Sequence, residues 1–310
     1  MPEDTATIAA RLATRRPGVS EATVQADVRQ FILSAALNLS EDAVVPVSLE
    51  SPLGDGTRRR IDIETGQTIV EIKRDLDAGN TLTSAEEQIG GYLRQRSDEL
   101  GVRFLGILTD GRQWRLYVLV PEGTTVIPAG PPFALRTAAD APSLIDWLGA
   151  ILATREPVSP TPERVASQLG ADSPTYAANH ETLKALLAQH GNEPEVALKR
   201  ELWVKLLRSA FGSSFEDDVA LFVDHTLLVL TAEVIAHAVM GFDITVAGQI
   251  TAEQLSSGSL FSRAGIYGVV EADFFDWPAQ TEEGRGFISS LARTVAAFNW
   301  SEVDHDVLKH

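Results

Sequence analysis

The sequence predicts an α/β domain with a mixed central sheet, followed by a mainly α-helical domain. Two observations carry this. Over residues 1–155, helix-period segments and short β-prone runs follow in the order helix, three strands, helix, two strands, helix. Beyond the stretch EPVSPTP, which holds three prolines in seven residues, apolar positions recur mostly at helical spacing. The expected division is a first domain over 1–155, a linker over 156–163 and a helical domain over 164–310.

The first helix is expected over about 21–39, with Ser20 as N-cap and Val24, Val28, Phe31, Ile32 and Ala35 on its apolar face. Three strand candidates follow: VVPVSLE (44–50), RRRIDIE (58–64) after the turn Gly54-Asp55-Gly56, and TIVEIKR (68–74) after Gly66. A helix is expected over about 84–100, where Ser84 and Glu87 form a capping-box pattern. RFLGILT and RQWRLYVL flank Asp110-Gly111, a hairpin signal. A helix over about 142–153 carries Leu144, Trp147, Leu148 and Ile151. In the second domain, ETLKALLAQH, ELWVKLLRSAF and DDVALFVDHTLLVLTAEVIAHAVMGF read as helices, the last as the buried centre. GIYGVVEADFFDW and RGFISSLARTVAAFNW come after them, and packing within their own domain is the default for the first of these.

Composition excludes several chemistries. The 310 residues contain no cysteine, which rules out disulfides, thiolate zinc sites and cysteine nucleophiles and fits a reducing cytoplasm. The N-terminus lacks the apolar core of a secretory signal, and no apolar run reaches the length of a membrane span, so no membrane partner is expected. The six histidines show no metal-ligating spacing, and His225 and His237 read as core or helix-interface residues. Net charge is −17, split as −5 over residues 1–155 and −12 over 156–310. A net-acidic chain binds nucleic acid weakly by itself, because non-specific affinity comes from neutralising phosphates.

The chemistry concentrates in RRRIDIETGQTIVEIKRDL. Asp62 and Glu71 fall on successive strands, close enough for two carboxylates to share one hard cation, Mg²⁺ or Mn²⁺. Strand alternation puts Glu71 and Lys73 on one face and points Ile72 into the core, while the Ile72 backbone carbonyl offers a further oxygen ligand. Lys73 can then orient water or stabilise charge on a phosphate. Gln88 and Tyr92, four apart, share a helical face beside the intervening Gly90 and Gly91, whose lack of side chains suits close backbone approach. Glu21 is either an outer carboxylate or a first-turn acid favoured by the helix dipole. Arg58, Arg59 and Arg60 either contact phosphate or form a solvated turn. Glu64 is either a further ligand or an exposed acid. Glu71 and Lys73 alone would also suit a salt bridge on a solvated sheet face.

Taken together, a helix with an early Glu21, a strand Asp62, the Glu71-Ile72-Lys73 strand and the Gln88…Tyr92 helix resemble the RecB-type branch of the PD-(D/E)XK nucleases. The resemblance covers about residues 15–120 and includes the hairpin GILTDGRQWRLY. Ile61 stands where that family often has proline. The resemblance implies Asp62 and Glu71 as metal ligands, Lys73 as catalytic lysine, Gln88 and Tyr92 as accessory groups and Glu21 as helix acid. The helical half is similar to the connector of type IIG-like restriction–modification enzymes, which links nuclease to N6-adenine methyltransferase. The chain carries neither an Asn-Pro-Pro-Tyr motif nor a glycine-rich cofactor loop, so it is not expected to bind S-adenosylmethionine.

The expectation is therefore a Mg²⁺- or Mn²⁺-dependent DNA endonuclease module of a cytoplasmic restriction–modification or phage-defence enzyme. DNA grip and target choice would come from a downstream or partner methyltransferase and a target-recognition domain. The alternative is an inactive nuclease-fold scaffold or DNA-binding module attached to a methyltransferase. Cleavage of RNA or of a nucleotide is a third reading.

Overall fold

The computed structural model describes residues 4–14, 18–35, 37, 51–52, 60–152, 158–212, 215–244, 250–270 and 272–303. These fall into two compact units. The first takes the described residues up to 152 together with 161–178, and the second takes 158–160 and 179–303.

The first unit opens with α1 (Thr5–Ala13) and α2 (Glu21–Ser34). Then come β1 (Ser51–Pro52), β2 (Arg60–Ile61), β3 (Ile63–Thr65), β4 (Thr68–Ile72), α3 (Thr81–Leu100), β5 (Leu105–Thr109), β6 (Gln113–Leu119), β7 (Val126–Pro128) and β8 (Phe133–Ala134). The helices α4 (Ala141–Gly149) and α5 (Pro162–Leu169) follow. The main sheet has six strands in the order β3-β4-β5-β6-β7, with β8 also paired to β6. It is mixed: β4 and β5 run parallel and the other pairs antiparallel. The parallel pair needs a crossover, which α3 supplies.

Each face of the sheet buries its own core. Val70, Ile72, Trp114, Leu116 and Val118 pack with Ile8, Phe31 and Leu144 of the flanking helices. Ile69, Leu108 and Tyr117 pack with Ile89 and Leu93 of α3. Strand alternation therefore sends Glu71 to the α3 face, where the site is built.

The α/β class with a mixed sheet holds, and local boundaries differ. Ser20 caps α2 by accepting the Thr23 N–H, and Val24, Val28, Phe31, Ile32 and Ala35 are all buried, but the helix ends at Ser34. The strand expected over 44–50 and the turn at 54–56 lie outside the described residues. The strand expected over 58–64 is broken by a bend at Asp62. α3 starts at Thr81, three residues before the expected Ser84 cap, because the turn at Gly79 (φ +53°) already aims the chain into the helix. Ser84 is thus inside the first turn and caps nothing. The hairpin after Thr109 is held by Asp110, whose Oδ1 accepts the Arg112 and Gln113 N–H groups at 3.0 and 2.9 Å. α4 ends at Gly149; Leu144 and Leu148 are buried, with Trp147 and Ile151 packed on them. The sequence reading missed α1, although Ile8, Ala9 and Leu12 recur at helical spacing, and the strands β7 and β8, which are only three and two residues long.

The helix α6 (Pro174–His190) starts in the first unit and continues in the second. The second unit adds α7 (Pro194–Phe211), α8 (Val219–Val239), α9 (Ala252–Ser257), α10 (Ser259–Arg263) and α11 (Glu282–Val295). Phe222 of α8 packs on Trp203, with ring centroids 5.0 Å apart, and on Phe275 and Trp277, so the FFDW segment packs within its own unit. His225 stacks edge-on against Trp203, and His237 is fully buried. α8 is central but not buried all round, since Leu228 is 67% exposed. Contrary to the sequence expectation, α8 is long and apolar enough to cross a membrane. It also carries Asp224 and Glu233 and buries one side, including Val223, Leu227 and Leu230, within the unit.

Candidate functional site

The site starts from an interrupted ladder. β3 pairs with β4 through Ile63 and Val70. One residue further, the chain bends at Asp62 instead of continuing the pairing. Ile61 consequently joins the α3-side core and Ile63 the opposite one. The Ile72 N–H then has no strand carbonyl opposite it, and the Asp62 Oδ2 accepts it at 2.7 Å. The other oxygen of Asp62 accepts Gln25 Nε2–H at 2.9 Å. Asp62 is therefore fixed from two sides, by β4 and by α2.

Glu71, one residue before Ile72, is 2% exposed. Its Oε1 accepts from the Lys73 ammonium at 2.6 Å. The same ammonium donates to Gln88 Oε1 at 2.9 Å, and Gln88 Nε2–H donates to the Tyr92 hydroxyl at 2.7 Å. Gln88 and Tyr92 sit one turn apart on α3, so the helix holds the lysine by a relay. Glu21, at the first turn of α2, accepts the Arg74 N–H at 3.2 Å. The structure thus brings Asp62, Glu71, Lys73, Gln88, Tyr92 and Glu21 together around the end of β4.

The electrostatics reflect that crowding. Burial pushes the Glu71 carboxyl up to about 7; Asp62 and Glu21 add to the rise and Lys73 opposes it. Burial would lower the Lys73 ammonium, but Glu71, Glu21 and Asp62 outweigh it and raise its pKa. Burial raises the Tyr92 hydroxyl too, with Glu71 and Asp62 adding to it. The pair does not lie on a fully solvated face: Glu71 is buried, and Lys73 is half-buried.

The donor set fits a hard divalent cation. Glu71 Oε2 is buried without a hydrogen-bond partner among the described residues, a vacancy that buried carboxylates seldom tolerate. Asp62 lies beside it, and the Ile72 carbonyl belongs to the residue between Glu71 and Lys73. All three donors are oxygens, as Mg²⁺ or Mn²⁺ requires. Among the described residues no three His, Asp or Glu side chains are gathered tightly enough to hold a metal alone. A site here has two carboxylates and would take its remaining ligands from backbone, water and phosphate.

Other candidates resolve differently. Glu64 is 1% exposed and pairs with Arg96 at 3.0 Å, so it is neither an exposed acid nor available as a ligand. Arg58 and Arg59 lie outside the described residues. Gly90 does mark close approach, since a Cβ there would collide with the Thr124 carbonyl oxygen, but Gly91 faces open space. Sequence reasoning missed Gln25. Its spacing of four from Glu21, on the same helical face, was the signal available.

Comparison with family models, with curated proteins and with solved structures finds no match to this chain.

Proposed function

We propose that the first unit is a Mg²⁺- or Mn²⁺-dependent DNA endonuclease of PD-(D/E)XK type, working within a cytoplasmic restriction–modification or phage-defence system. The observation that carries this reading is the convergence of Asp62, Glu71 and Lys73 at the end of β4, with the Glu71 Oε2 left without a hydrogen-bond partner among the described residues. Asp62, Glu71 and the Ile72 carbonyl would hold the ion, which when bound polarises a phosphoryl oxygen and acidifies water. Lys73 supplies fixed positive charge where negative charge builds on the phosphate. Gln88 holds that ammonium in place, and Tyr92 holds Gln88. The buried setting of Glu71 strengthens each of these charge interactions.

The net charge of −17 supports a division of labour. Cutting chemistry resides here, while DNA grip and target choice come from a methyltransferase and a target-recognition domain. The test is cleavage of plasmid DNA by the full-length protein with Mg²⁺ or Mn²⁺. Activity should vanish with chelator and in Glu71→Gln and Lys73→Ala. Undiminished cleavage by both variants sinks the reading.

A further inference from the structure

The helix α7 turns one face into its unit and leaves the other uncovered. Val196, Trp203 and Val204 are buried, and Lys199 pairs with Asp276 and donates to the Asp273 carbonyl at 2.7 Å, so the helix is held firmly in place. On the outer face Leu198, Leu202 and Leu206 follow one another at single helical turns and are 54, 42 and 53% exposed. A single exposed leucine is ordinary, but three along one ridge form a continuous apolar stripe.

The polar residues beside the stripe show what it fits. Glu201 and Lys205 are exposed, and neither makes a hydrogen bond or ion pair among the described residues, although Glu followed one turn later by Lys is a favourable helical pair. Lys199 and Arg200 are already neutralised by Asp276 and Asp217. The charge left on α7 is Lys205 and Arg208 against Glu195 and Glu201, which balance. A face without net charge selects neither nucleic acid nor a strongly charged polypeptide. It matches itself. Laid antiparallel about Leu202, two copies of α7 set Leu198 against Leu206 of the second copy. The same arrangement brings Lys205 beside Glu201 of the second copy on one flank, and Glu195 faces Ser209 of the second copy where the stripe ends.

We propose that α7 is a self-association face. Two copies of this chain pair through the ridges of Leu198, Leu202 and Leu206 about a two-fold axis beside Leu202, with reciprocal ion pairs between Lys205 and Glu201. One exposed ridge per copy is a small interface, so the dimer is weak and forms or separates with concentration. The pairing stands apart from the proposed nuclease chemistry and does not depend on it.

Sedimentation equilibrium of the full chain from about 1 to 200 μM tests this. A monomer–dimer equilibrium is expected, with Kd on the order of 1–100 μM. Leu202→Glu puts like charges at the two-fold axis and should weaken the dimer at least about thirtyfold, while circular dichroism shows the variant folded. Glu201→Lys and Lys205→Glu each set like charges across the flank and should weaken it at least about threefold. The two together should restore it to within about twofold of the parent. This charge series stands by itself if Leu202→Glu fails to fold. The proposal is overturned by a monomer at about 200 μM, which leaves the stripe to a different polypeptide, by a dimer as tight in folded Leu202→Glu as in the parent, or by a double charge variant no tighter than the single ones.

Discussion

Asp62 accepts the N–H of Ile72 at 2.7 Å, so the carboxylate at the bend between β2 and β3 is tied to the strand that carries Glu71 and Lys73. One side chain thereby ends a β-ladder and sets the spacing of two carboxylates. Its structural and chemical roles are separable by substitution. Asp62→Asn retains an acceptor for the Ile72 N–H and should stay within about 1 kcal/mol of the parent in urea unfolding. Asp62→Ala leaves that N–H unpaired and should cost roughly 1–3 kcal/mol. Both variants should lose Mn²⁺ binding in calorimetry, because both lack the charge.

Glu71 makes the stability of the metal-free protein depend on pH. Its carboxyl titrates at about 7 in the fold, against an ordinary value of 4.5. Folding therefore favours the protonated form. The resulting stability is fully present below pH 4.5 and is lost as pH climbs to 7, by about 1.4 kcal/mol per unit. Glu233 contributes a slope of the same sign, so the comparison must be with a variant. Glu71→Gln should flatten the difference and unfold at higher urea than the parent at pH 8, by roughly 2–3 kcal/mol. Mn²⁺ added to the parent at pH 6 should release protons, measured as a buffer-dependent heat.

Gln25 acts through Asp62. Removing its amide takes one donor from Asp62 Oδ1, while the Ile72 N–H still holds Oδ2, so the carboxylate is less firmly oriented. Gln25→Ala should weaken Mn²⁺ affinity about ten- to hundredfold, as loss of a ligand's supporting hydrogen bond does. Unfolding should change by only about 1 kcal/mol. An unchanged affinity would reduce Gln25 to a packing residue.

Much of this site was legible because its residues are spaced by local geometry. Glu71 and Lys73 follow from alternation on one strand, and Gln88 and Tyr92 from one helical turn. The bend at Asp62 was not legible, since it arises from a choice between ladder pairing and side-chain capping that only the assembled sheet decides. Gln25 was obscured for the same reason: glutamine on a helix is ordinary until α2 is placed against β4. Thr81 extends α3 past the Ser84 signal because a turn geometry, absent from any capping motif, sets its entry.

Gly90 and Gly91 look alike in the sequence and differ in the structure. A Cβ on Gly90 would strike the Thr124 carbonyl oxygen, which is backbone and yields only if the loop moves. A Cβ on Gly91 meets nothing within 4 Å. Gly91→Ala should stabilise α3 by about 0.5–1 kcal/mol through helix propensity. Gly90→Ala should destabilise by roughly 1–3 kcal/mol as an overpacking change. Thermal unfolding of the two variants checks the sign of each.

Glu64 offers a control for the whole assignment, because it sits two residues from Asp62 and shares its acidity. Its carboxylate is held by Arg96 at 3.0 Å, with Arg96 also bonded to Glu99 at 2.8 Å. Burial raises the Glu64 carboxyl, and Arg96 opposes that rise. Truncating Arg96 strands a buried acid, so Arg96→Ala should cost about 3 kcal/mol or more. Pairing Arg96→Met with Glu64→Gln should return most of that loss, since no charge is then buried alone. Mn²⁺ affinity should be untouched in the double variant, because Glu64 faces Arg96 and not the ion. A double variant that folds normally and yet loses Mn²⁺ would place Glu64 among the ligands and redraw the site.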